Sequence, residues 1–354
     1  MHDNVYLLVD GKRIERFISY EIDADLYEAA DVFTLELARP EIQITTGMDC
    51  QLYVNDQLEL TGIIDKLVPS YDKSGRKLTV TGRDLMGWLV DAHCEEFITL
   101  QNYKFIALAQ RLLQHAPDKF FELTTIKYTE DVLGRLKSKG SKVGLFDTVT
   151  PLSQIEPGMS VFEVLSNYAK SKGLLFYAMP DGTLVIGRPK DSGAAAFALT
   201  HRLDGRGNNI LAGEMIDDIS KRYSQVTVVG QKQGTDVLSA TQINIETPIP
   251  IKDDSFPFYK PFFLKDEYGG DQPELQARLA LEKMRHDGFR LSYTVAGHSQ
   301  GNKNWTINEL AHVKDEDPNF ALDNEHLIYG RTFSKSEDKG TVTKLRLGFP
   351  GMIA

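Results

Sequence analysis

A five-residue segment near the C-terminal end carries residue types that could perform catalysis. The stretch TVAGHSQGNKNW contains Gly297–Gly301, GHSQG, which matches the G-x-S-x-G pattern of many serine hydrolases. In those enzymes the serine is the nucleophile and lies at a sharp turn between a strand and a helix. Ser299 is therefore the first candidate for a catalytic residue, and its sequence context decides whether the match has chemical meaning.

The residues around Ser299 predict a turn between two strands. A strand is predicted over 291–296, but the following QGNKNWTINELAHV opens with glycine and asparagine and then alternates as a strand does. Asp323 and His326 could supply the acid and the base in hydrolase order, yet they lie three positions apart in a loop-like stretch. We therefore expect no catalytic residue and no enzyme. An esterase acting through Ser299 stays as an alternative hypothesis.

The composition indicates a folded protein without the charge of a nucleic-acid-binding protein. Among 354 residues, 42% are hydrophobic and 25% are charged, and the formal net charge is −10. An acidic chain lacks the cationic surface that attracts phosphate, and the basic run RLKSKGSK at 135–142 predicts a solvated loop. No apolar stretch approaches the length of a membrane span, and the N-terminal residues lack the pattern of a secretion signal.

Metal and cofactor sites have no support in the sequence. The eight histidines are scattered, and none is spaced with another ligand as metal ligands are. No P-loop or C-x-x-C pattern occurs. Cys50 and Cys94 are predicted to be reduced thiols, although a bridge between them stays open. We expect neither a metal nor an organic cofactor.

Short strands dominate both ends of the chain, and helical patterns appear in the middle. Asp-Gly at 10–11 and Asn-Asp at 55–56 predict hairpin turns, so the first hundred residues suggest a small antiparallel barrel or sandwich. In the segment 158–188, Ser160 and Glu163 form a capping box that starts a helix, and a hairpin follows it. These elements predict a compact α/β unit between the two β regions.

The two β regions resemble one another in sequence, and we call this internal similarity the echo. DLYEAADVFTLEL from Asp25 aligns without a gap with DISKRYSQVTVVG from Asp218, so that Phe33 meets Val226. Further along, LTGIIDKLVPSYDKSGRKLTVTGRD resembles IYGRTFSKSEDKGTVTKLRLG, because both contain two strands joined by a charged turn with a glycine. The echoes occur in the same order, which favours a duplicated barrel on either side of an α/β insertion.

We therefore predict an α+β fold, mainly β, in which two similar small antiparallel β-barrels flank an α/β insertion domain. The predicted boundaries are 1–96 for the first barrel, 97–190 for the insertion, 191–207 for a linker and 208–354 for the second barrel. The linker is inferred from DSGAAAF, and the second barrel is expected to hold one helix near 272–287.

An aromatic-rich segment, FPFYKPFFLKDEYGG at 256–270, is the most unusual in the chain. Irregular segments of this kind form either plugs of the core or anchors in an interface with a partner, and the sequence leaves both open. The candidate interface residues are Phe256, Phe258, Tyr259, Phe262 and Phe263.

Four segments, spread along nearly the whole chain, carry a family resemblance. They are VTGRDLMGWLVDAH at 80–93, GMSVFEVLSNYAKSKGLLFYAMPDGTLVIGR at 158–188, NNILAGEMIDDISKRYSQVTVVGQ at 208–231 and VAGHSQGNKNWTINELAHVKD at 295–315. In this order they resemble the baseplate hub proteins of contractile-tailed phages, in particular the phage Mu-like tail proteins of bacterial prophages. Related barrels occur in the spike proteins of type VI secretion.

The resemblance implies a structural protein and not an enzyme. It implies a homotrimeric ring whose six barrels give pseudo-six-fold symmetry and join the tail tube to the central puncturing spike. The implied partners are the tail spike protein and the tube and baseplate proteins, and the implied location is the virion baseplate, assembled in the host cytoplasm. DNA is expected to pass through the ring without specific binding, with part of the −10 charge facing the channel.

A second hypothesis is a cell-wall or glycan-binding module of a tail or secretion apparatus. It rests on the capped helix between short strands at 158–188, which is typical of small peptidoglycan-binding folds.

Overall fold

The computed structural model describes residues 3–38, 43–73, 75–99, 105–114, 116, 126–129, 154–231, 244–246, 250–265 and 273–353. The basic run at 135–142 lies outside these residues. The first region contains strands β1 (Val5–Val9), β2 (Lys12–Ile14), β3 (Ser19–Asp25), β4 (Val32–Leu37), β5 (Asp49–Val54), β6 (Gln57–Asp72) and β7 (Gly75–Asp84).

The middle region combines helices with short strands. Its elements are α1 (Met86–Asp91), β8 (Ile98–Thr99), α2 (Phe105–Leu112), β9 (Lys127–Tyr128), β10 (Gln154–Ile155), α3 (Val161–Ser171), β11 (Leu175–Ala178) and β12 (Leu184–Gly187). The last region contains β13 (Phe197–His201), β14 (Ile210–Asp217), β15 (Gln225–Gln231), β16 (Asn244–Glu246), β17 (Ile251–Lys252), β18 (Pro261–Lys265), α4 (Pro273–Gly288), β19 (Phe289–Ala296), β20 (Ser299–Gln300), β21 (Lys303–Asn304), β22 (Glu309–Asp315), β23 (Leu322–Ser336) and β24 (Gly340–Gly348).

Thirteen of the described strands form one large, mainly antiparallel sheet. Its main order is β14-β19-β24-β23-β3-β4-β7-β6-β5-β1-β2, and β22 joins β23 and β13 beside it. The fold is therefore mainly β, as predicted. Within the described part of the chain, no strand pairing closes either half into a barrel, and the two-barrel arrangement stays a prediction.

The sheet contains the same strand order twice. The first half runs β3-β4-β7-β6-β5-β1, and the second runs β14-β19-β24-β23-β22-β13. Both halves contain a long hairpin, β6–β7 and β23–β24, and each hairpin carries a register shift near the end that is farther from its turn. The two halves meet where β3 pairs with β23. One pairing differs, since β1 is antiparallel to β5 whereas β13 is parallel to β22.

The internal echo predicted from the sequence is correct for the long hairpins and wrong for one strand. Phe33 of β4 pairs with Gly82 of β7. In the second half, the equivalent residue is Leu291 of β19, which pairs with Leu347 of β24. Val226, which the ungapped alignment matched with Phe33, lies in a separate small sheet of β15–β18. The alignment failed because residues 218–288 are inserted between β14 and β19, whereas only residues 26–31 separate β3 from β4.

Strict alternation of side chains builds the core of the large sheet. In β4, Phe33, Leu35 and Leu37 are buried, while Val32, Thr34 and Glu36 face the other side. The same alternation in β3, β7, β19 and β24 places aliphatic and aromatic residues of both halves in one continuous core. The opposite face of these strands is polar.

The middle region has a core of its own. Buried residues of α1, α2 and α3 pack with those of β11 and β12 in a separate cluster. The predicted capping of α3 is confirmed, because the Ser160 hydroxyl accepts a hydrogen bond from the Glu163 N–H at 3.0 Å. The predicted hairpin turns are confirmed as well, since Asp10 and Gly11 both have positive φ, 51° and 70°.

Two other predictions concern the last region. The helix expected near 272–287 is α4, Pro273–Gly288. The range 191–207, expected to be a linker, contains β13, which pairs with β22 and buries Phe197 and Leu199. The range is therefore not a linker throughout, because its aliphatic and aromatic side chains complete the core of the second half.

The alternation in β4 generates a stability prediction. Replacing Phe33, which is fully buried, with alanine should lower the free energy of unfolding by about 3–5 kcal/mol, since the ring leaves a cavity in the shared core. Urea unfolding measures the loss. Val32→Ala on the same strand is the matched control and should change stability by about 0.5 kcal/mol or less, because Val32 faces outward. Equal losses for both variants would contradict the alternation.

Candidate functional site

The motif around Ser299 is a hairpin turn. β19 ends at Ala296, and Gly297 turns the chain with a φ of 69°. Ser299 then pairs with Asn304 in the two-stranded β20–β21 hairpin, whose turn uses Gly301 at a φ of 66°. No helix follows the serine in this described stretch, so the predicted turn is confirmed.

Asp323 and His326 have partners other than Ser299. The Asp323 carboxylate lies 3.0 Å from Nε2 of His312 on the neighbouring strand β22. His326 is buried and stacks on Phe289, with ring centroids 6.1 Å apart. Burial lowers the pKa of His326, so its imidazole is held neutral inside the protein. The described hydrogen bonds join none of the three residues to another, and the arrangement is not a catalytic triad.

The motif's histidine, and not its serine, has the structural role. His298 is completely buried, and its Nε2 lies 2.8 Å from the Tyr20 hydroxyl of β3. Its Nδ1 lies 3.0 Å from the Thr343 hydroxyl of β24, and its backbone N–H donates to Asp3 at 3.2 Å. Burial lowers the pKa of His298 to about 4. The neutral ring thus links the N-terminal half to the C-terminal half.

A second set of buried polar groups continues this link. The Asn304 side-chain amide donates to the Val54 carbonyl at 2.8 Å and to the Glu59 carboxylate at 2.6 Å. Glu59 also forms an ion pair with Arg331, and both side chains are almost fully buried. The Arg331 guanidinium lies over the Phe333 ring, 3.9 Å from its centroid. We call Tyr20, Glu59, His298, Asn304, Arg331 and Thr343 the polar junction.

The outward face of eight strands forms a broad polar surface. The strands run in the order β14-β19-β24-β23-β3-β4-β7-β6, and both halves contribute four. Because side chains alternate, the polar face consists mainly of Ser19, Glu21, Asp23, Thr34, Glu36, Lys77, Thr79, Thr81, Arg83, Glu214, Arg290, Ser292, Thr294, Thr332, Ser334, Lys344 and Arg346, with the apolar Val32, Ile216 and Val342 among them.

Several charges on the polar face form ion pairs. Arg346 contacts Asp23 at 2.9 Å and Asp25 at 3.0 Å, across the joint between the two halves. Lys77 contacts Glu36 at 2.9 Å, and this hydrogen bond lowers the pKa of the Glu36 carboxyl. A surface of hydroxyls and paired charges offers contact without a strong field of either sign. In the part of the chain that the structure describes, no cluster of three or more His, Cys, Asp or Glu is arranged to hold a metal ion.

The aromatic segment divides between inward and outward positions. Phe256 is buried, and Phe262 packs beside the core of the small sheet and 4.8 Å from the Tyr223 ring. Phe258, Tyr259 and Phe263 are exposed, with Tyr259 at 75%. Two of the five candidate interface residues therefore serve the core, and three are available to a partner.

The sequence did not identify the polar junction or the polar face. The junction joins residues about 250 positions apart, such as Glu59 and Asn304, and no local pattern marks such a pair. A sequence pattern does mark the polar face, because Ser, Thr and charged residues recur at alternate positions in SYEIDAD and VFTLEL.

Three kinds of similarity to known proteins agree with this architecture. Residues 4–84 match the family model described as Mu phage baseplate assembly protein GpP-like, N-terminal. The chain is 24% identical over 234 residues to the baseplate hub protein gp44 of Escherichia phage Mu, a match over 65% of this chain. It spans about half, 56%, of the length of that relative.

Two solved structures share the fold over almost their whole length. The crystal structure of the tail protein from Neisseria meningitidis MC58 has a TM-score of 0.78 and 26% identity, covering 98% of this chain and 96% of that one. The 43 kDa tail protein of prophage MuSo2 from Shewanella oneidensis has a TM-score of 0.76 and 22% identity, covering 99% of each chain. The resemblance predicted from the four sequence segments is confirmed.

No helix among the described residues is long and apolar enough to cross a membrane.

The buried ion pair of the polar junction generates a prediction. Glu59→Ala or Arg331→Met alone should lower the free energy of unfolding by about 3–5 kcal/mol, because each leaves an uncompensated buried charge. The double variant should lose much less than the sum of the two. Urea unfolding of all four proteins gives the coupling. Strict additivity would show that the two groups do not interact.

His298 generates a prediction about pH. Its pKa of about 4 in the folded state lies below its usual value of about 6.5, so the unfolded state binds the proton first as the pH falls. Its stabilising contribution is thus complete above about pH 6.5 and is lost towards pH 4. Between pH 7 and pH 5 the wild type should lose about 2 kcal/mol more stability than His298→Gln, measured by urea unfolding at both pH values. If the wild type and His298→Gln lost the same stability between pH 7 and pH 5, folding would not lower the pKa of His298.

Proposed function

Because the chain resembles the Mu-like phage tail proteins along nearly its whole length, we propose that it is a structural baseplate hub protein of a contractile phage or prophage tail. The relatives that it matches are named as tail and baseplate components, and none of their names describes an enzyme. The turn at Ser299 agrees with a structural role, since its histidine is a buried hydrogen-bonding group of the polar junction.

The observation that carries this proposal is the repeated strand order. A trimer whose subunits each present two similar units offers a physical way to join a six-fold tube to a three-fold spike. β3-β4-β7-β6 and β14-β19-β24-β23 are two such units within one chain. Three copies would therefore offer six similar four-stranded units around one axis, with the tube on one side and the spike on the other.

The same repeat supports two barrel-like domains around an insertion. We assign 1–96 and 208–354 to these domains and 97–190 to the insertion, with the range 191–207 supplying β13 to the second. The separate core of α1–α3 with β11 and β12 supports an independent middle domain. The two outer regions share one hydrophobic core.

The polar face is our candidate for the wall of the channel. DNA passes a wall easily when few unpaired cations are available to neutralise its phosphates. From the sequence, surplus negative charge was expected there, but the polar face carries cations as well as carboxylates, some of them paired, such as Arg346 with Asp23. A surface that carries charges of both signs and many Ser and Thr hydroxyl groups would let DNA pass without specific binding.

The exposed aromatic residues are candidates for contact with a spike, tube or baseplate partner. Phe258, Tyr259 and Phe263 expose more than half of their surface, so a partner that covered them would bury a large apolar area. Phe256 and Phe262 anchor the segment from inside and would keep it rigid for binding.

Solution mass tests the proposed ring. Light scattering during size exclusion should give a mass near three times 39.8 kDa. A monomer at high protein concentration would contradict a ring that closes without a partner. Sedimentation with purified cell wall is the companion control, because a hub should stay in the supernatant whereas the alternative glycan-binding module should enter the pellet.

A further inference from the structure

Two aspartates lie where the large sheet meets the middle region. Asp31 follows Ala30, which packs against the core of the middle region, and precedes β4, whose Phe33 belongs to the core of the large sheet. Asp84 ends β7, and Met86 begins α1 inside the core of the middle region. Both aspartates therefore stand at the boundary between the two hydrophobic cores.

Hydrogen bonds bring the two aspartates and their strands together. The Asp84 N–H donates to the Asp31 carbonyl oxygen at 3.0 Å. The Asp31 carboxylate accepts a hydrogen bond from the Asp25 N–H at 3.1 Å. The Asp84 carboxylate accepts one from the Met86 N–H, also at 3.1 Å. The ends of β3 and β7, the start of β4 and the start of α1 are thus held at one point.

Neither of these two carboxylates forms an ion pair with a cation among the described residues. Arg83, next to Asp84 in the sequence, forms its ion pairs with Asp65 and Asp91 instead. The nearest cation in the chain is therefore already neutralised by other carboxylates.

The charges that face Asp31 from neighbouring strands do not neutralise it either. From β3, Asp23 and Asp25 add negative charge, and both contact Arg346. From β23, Arg331 adds positive charge, but its guanidinium is held in the ion pair of the polar junction. Carboxylates thus outnumber guanidinium groups around this point, and a proton is the remaining means of reducing the negative charge.

Removal of water raises the pKa of both carboxyl groups. Burial is the largest cause for Asp31, whose pKa rises to about 7, and for Asp84, whose pKa lies well above its usual range. The negative charge of Asp31 raises the pKa of Asp84 further. At neutral pH the pair therefore holds a proton that free aspartates, with a pKa of about 3.9, would have lost.

We propose that Asp31 and Asp84 form a proton-dependent lock between the large sheet and the middle region. With a proton shared by the two carboxyl groups the connection is closed, and when both groups are ionised their repulsion loosens it. Because α1 packs in the same core as α3, a change at its first residue is passed to the rest of the middle region. The lock is independent of the hub proposal, since it needs only contacts within one chain.

The pH dependence of the lock has a defined sign. Because folding raises the pKa of these carboxyl groups, the folded protein binds their protons at a pH where the unfolded chain does not. Their destabilising charge is therefore largely absent at pH 6 and develops as the pH rises through 7. One carboxyl group with a pKa of about 7 makes the unfolding equilibrium constant about tenfold larger at pH 8 than at pH 6.

Hydrogen exchange measured by mass spectrometry tests the lock in the full chain. After correction for the intrinsic effect of pH on exchange, protection of residues 84–88 should fall about tenfold between pH 6 and pH 8. In Asp31→Asn/Asp84→Asn, whose amide oxygens can accept the same hydrogen bonds, protection should stay constant. Asp91→Asn is the matched control and should keep the wild-type dependence, because pairing with Arg83 lowers the pKa of Asp91.

Urea unfolding of the same proteins at pH 6 and pH 8 is the second measurement. Relative to the double variant, the unfolding equilibrium constant of the wild type should rise about tenfold between these pH values. Equal pH dependence in the two proteins would overturn the lock. Constant protection of 84–88 in the wild type would overturn it as well, and that result does not depend on the folding of any variant. A change in global stability without a change at 84–88 would place the titration elsewhere and reject the lock.

Discussion

The pairing of β3 with β23 is the interaction on which the rest of the structure depends. Among the described strands of the large sheet, it is the single place where a strand of the N-terminal half pairs through its backbone with a strand of the C-terminal half. Because of it, two four-stranded units share one core and present one polar face. Arg346 reinforces the joint on the outer side by contacting Asp23 and Asp25, and the Tyr20–His298 hydrogen bond reinforces it on the inner side. Without this pairing, the repeat would be two separate sheets.

The polar junction explains why the two halves meet in one arrangement only. Apolar surfaces can slide past one another at small cost, but a buried polar group must find its partner or lose the free energy of desolvation. Glu59 and Tyr20 come from one half, and Arg331, Asn304 and His298 come from the other, so a slip of the joint would leave several of these groups unsatisfied together. The junction thus contributes specificity more than stability.

The sequence predicted the local elements well because their causes are local. The positive-φ turn at Asp10 and Gly11, the Ser160 cap and the alternation of β4 each depend on a few neighbouring residues. The repeat was harder to align, because the insertion after Asp218 replaces the short connection that follows Asp25. The polar junction could not be predicted, since Glu59 is a charged residue in a strand like many others until folding brings Arg331 against it. The polar face could have been predicted from the alternating Ser, Thr and charged residues of its strands.

The two kinds of joint in the proposed ring obey different physical demands. Inside one chain, the halves are covalently connected, so their association loses little translational freedom, and the joint can bury an ion pair such as Glu59–Arg331. A joint between separate molecules would have to offset the loss of translational and rotational freedom, which burial of exposed apolar side chains can supply. The equivalent positions follow this division. Thr332 and Asp23 form a polar contact within the chain, whereas Val68 and Ile216, which correspond to them, are apolar and exposed. Arg331 likewise corresponds to Leu67. The equivalent positions of the two halves have thus diverged, from polar side chains at the β3–β23 joint to apolar side chains at the exposed strand positions.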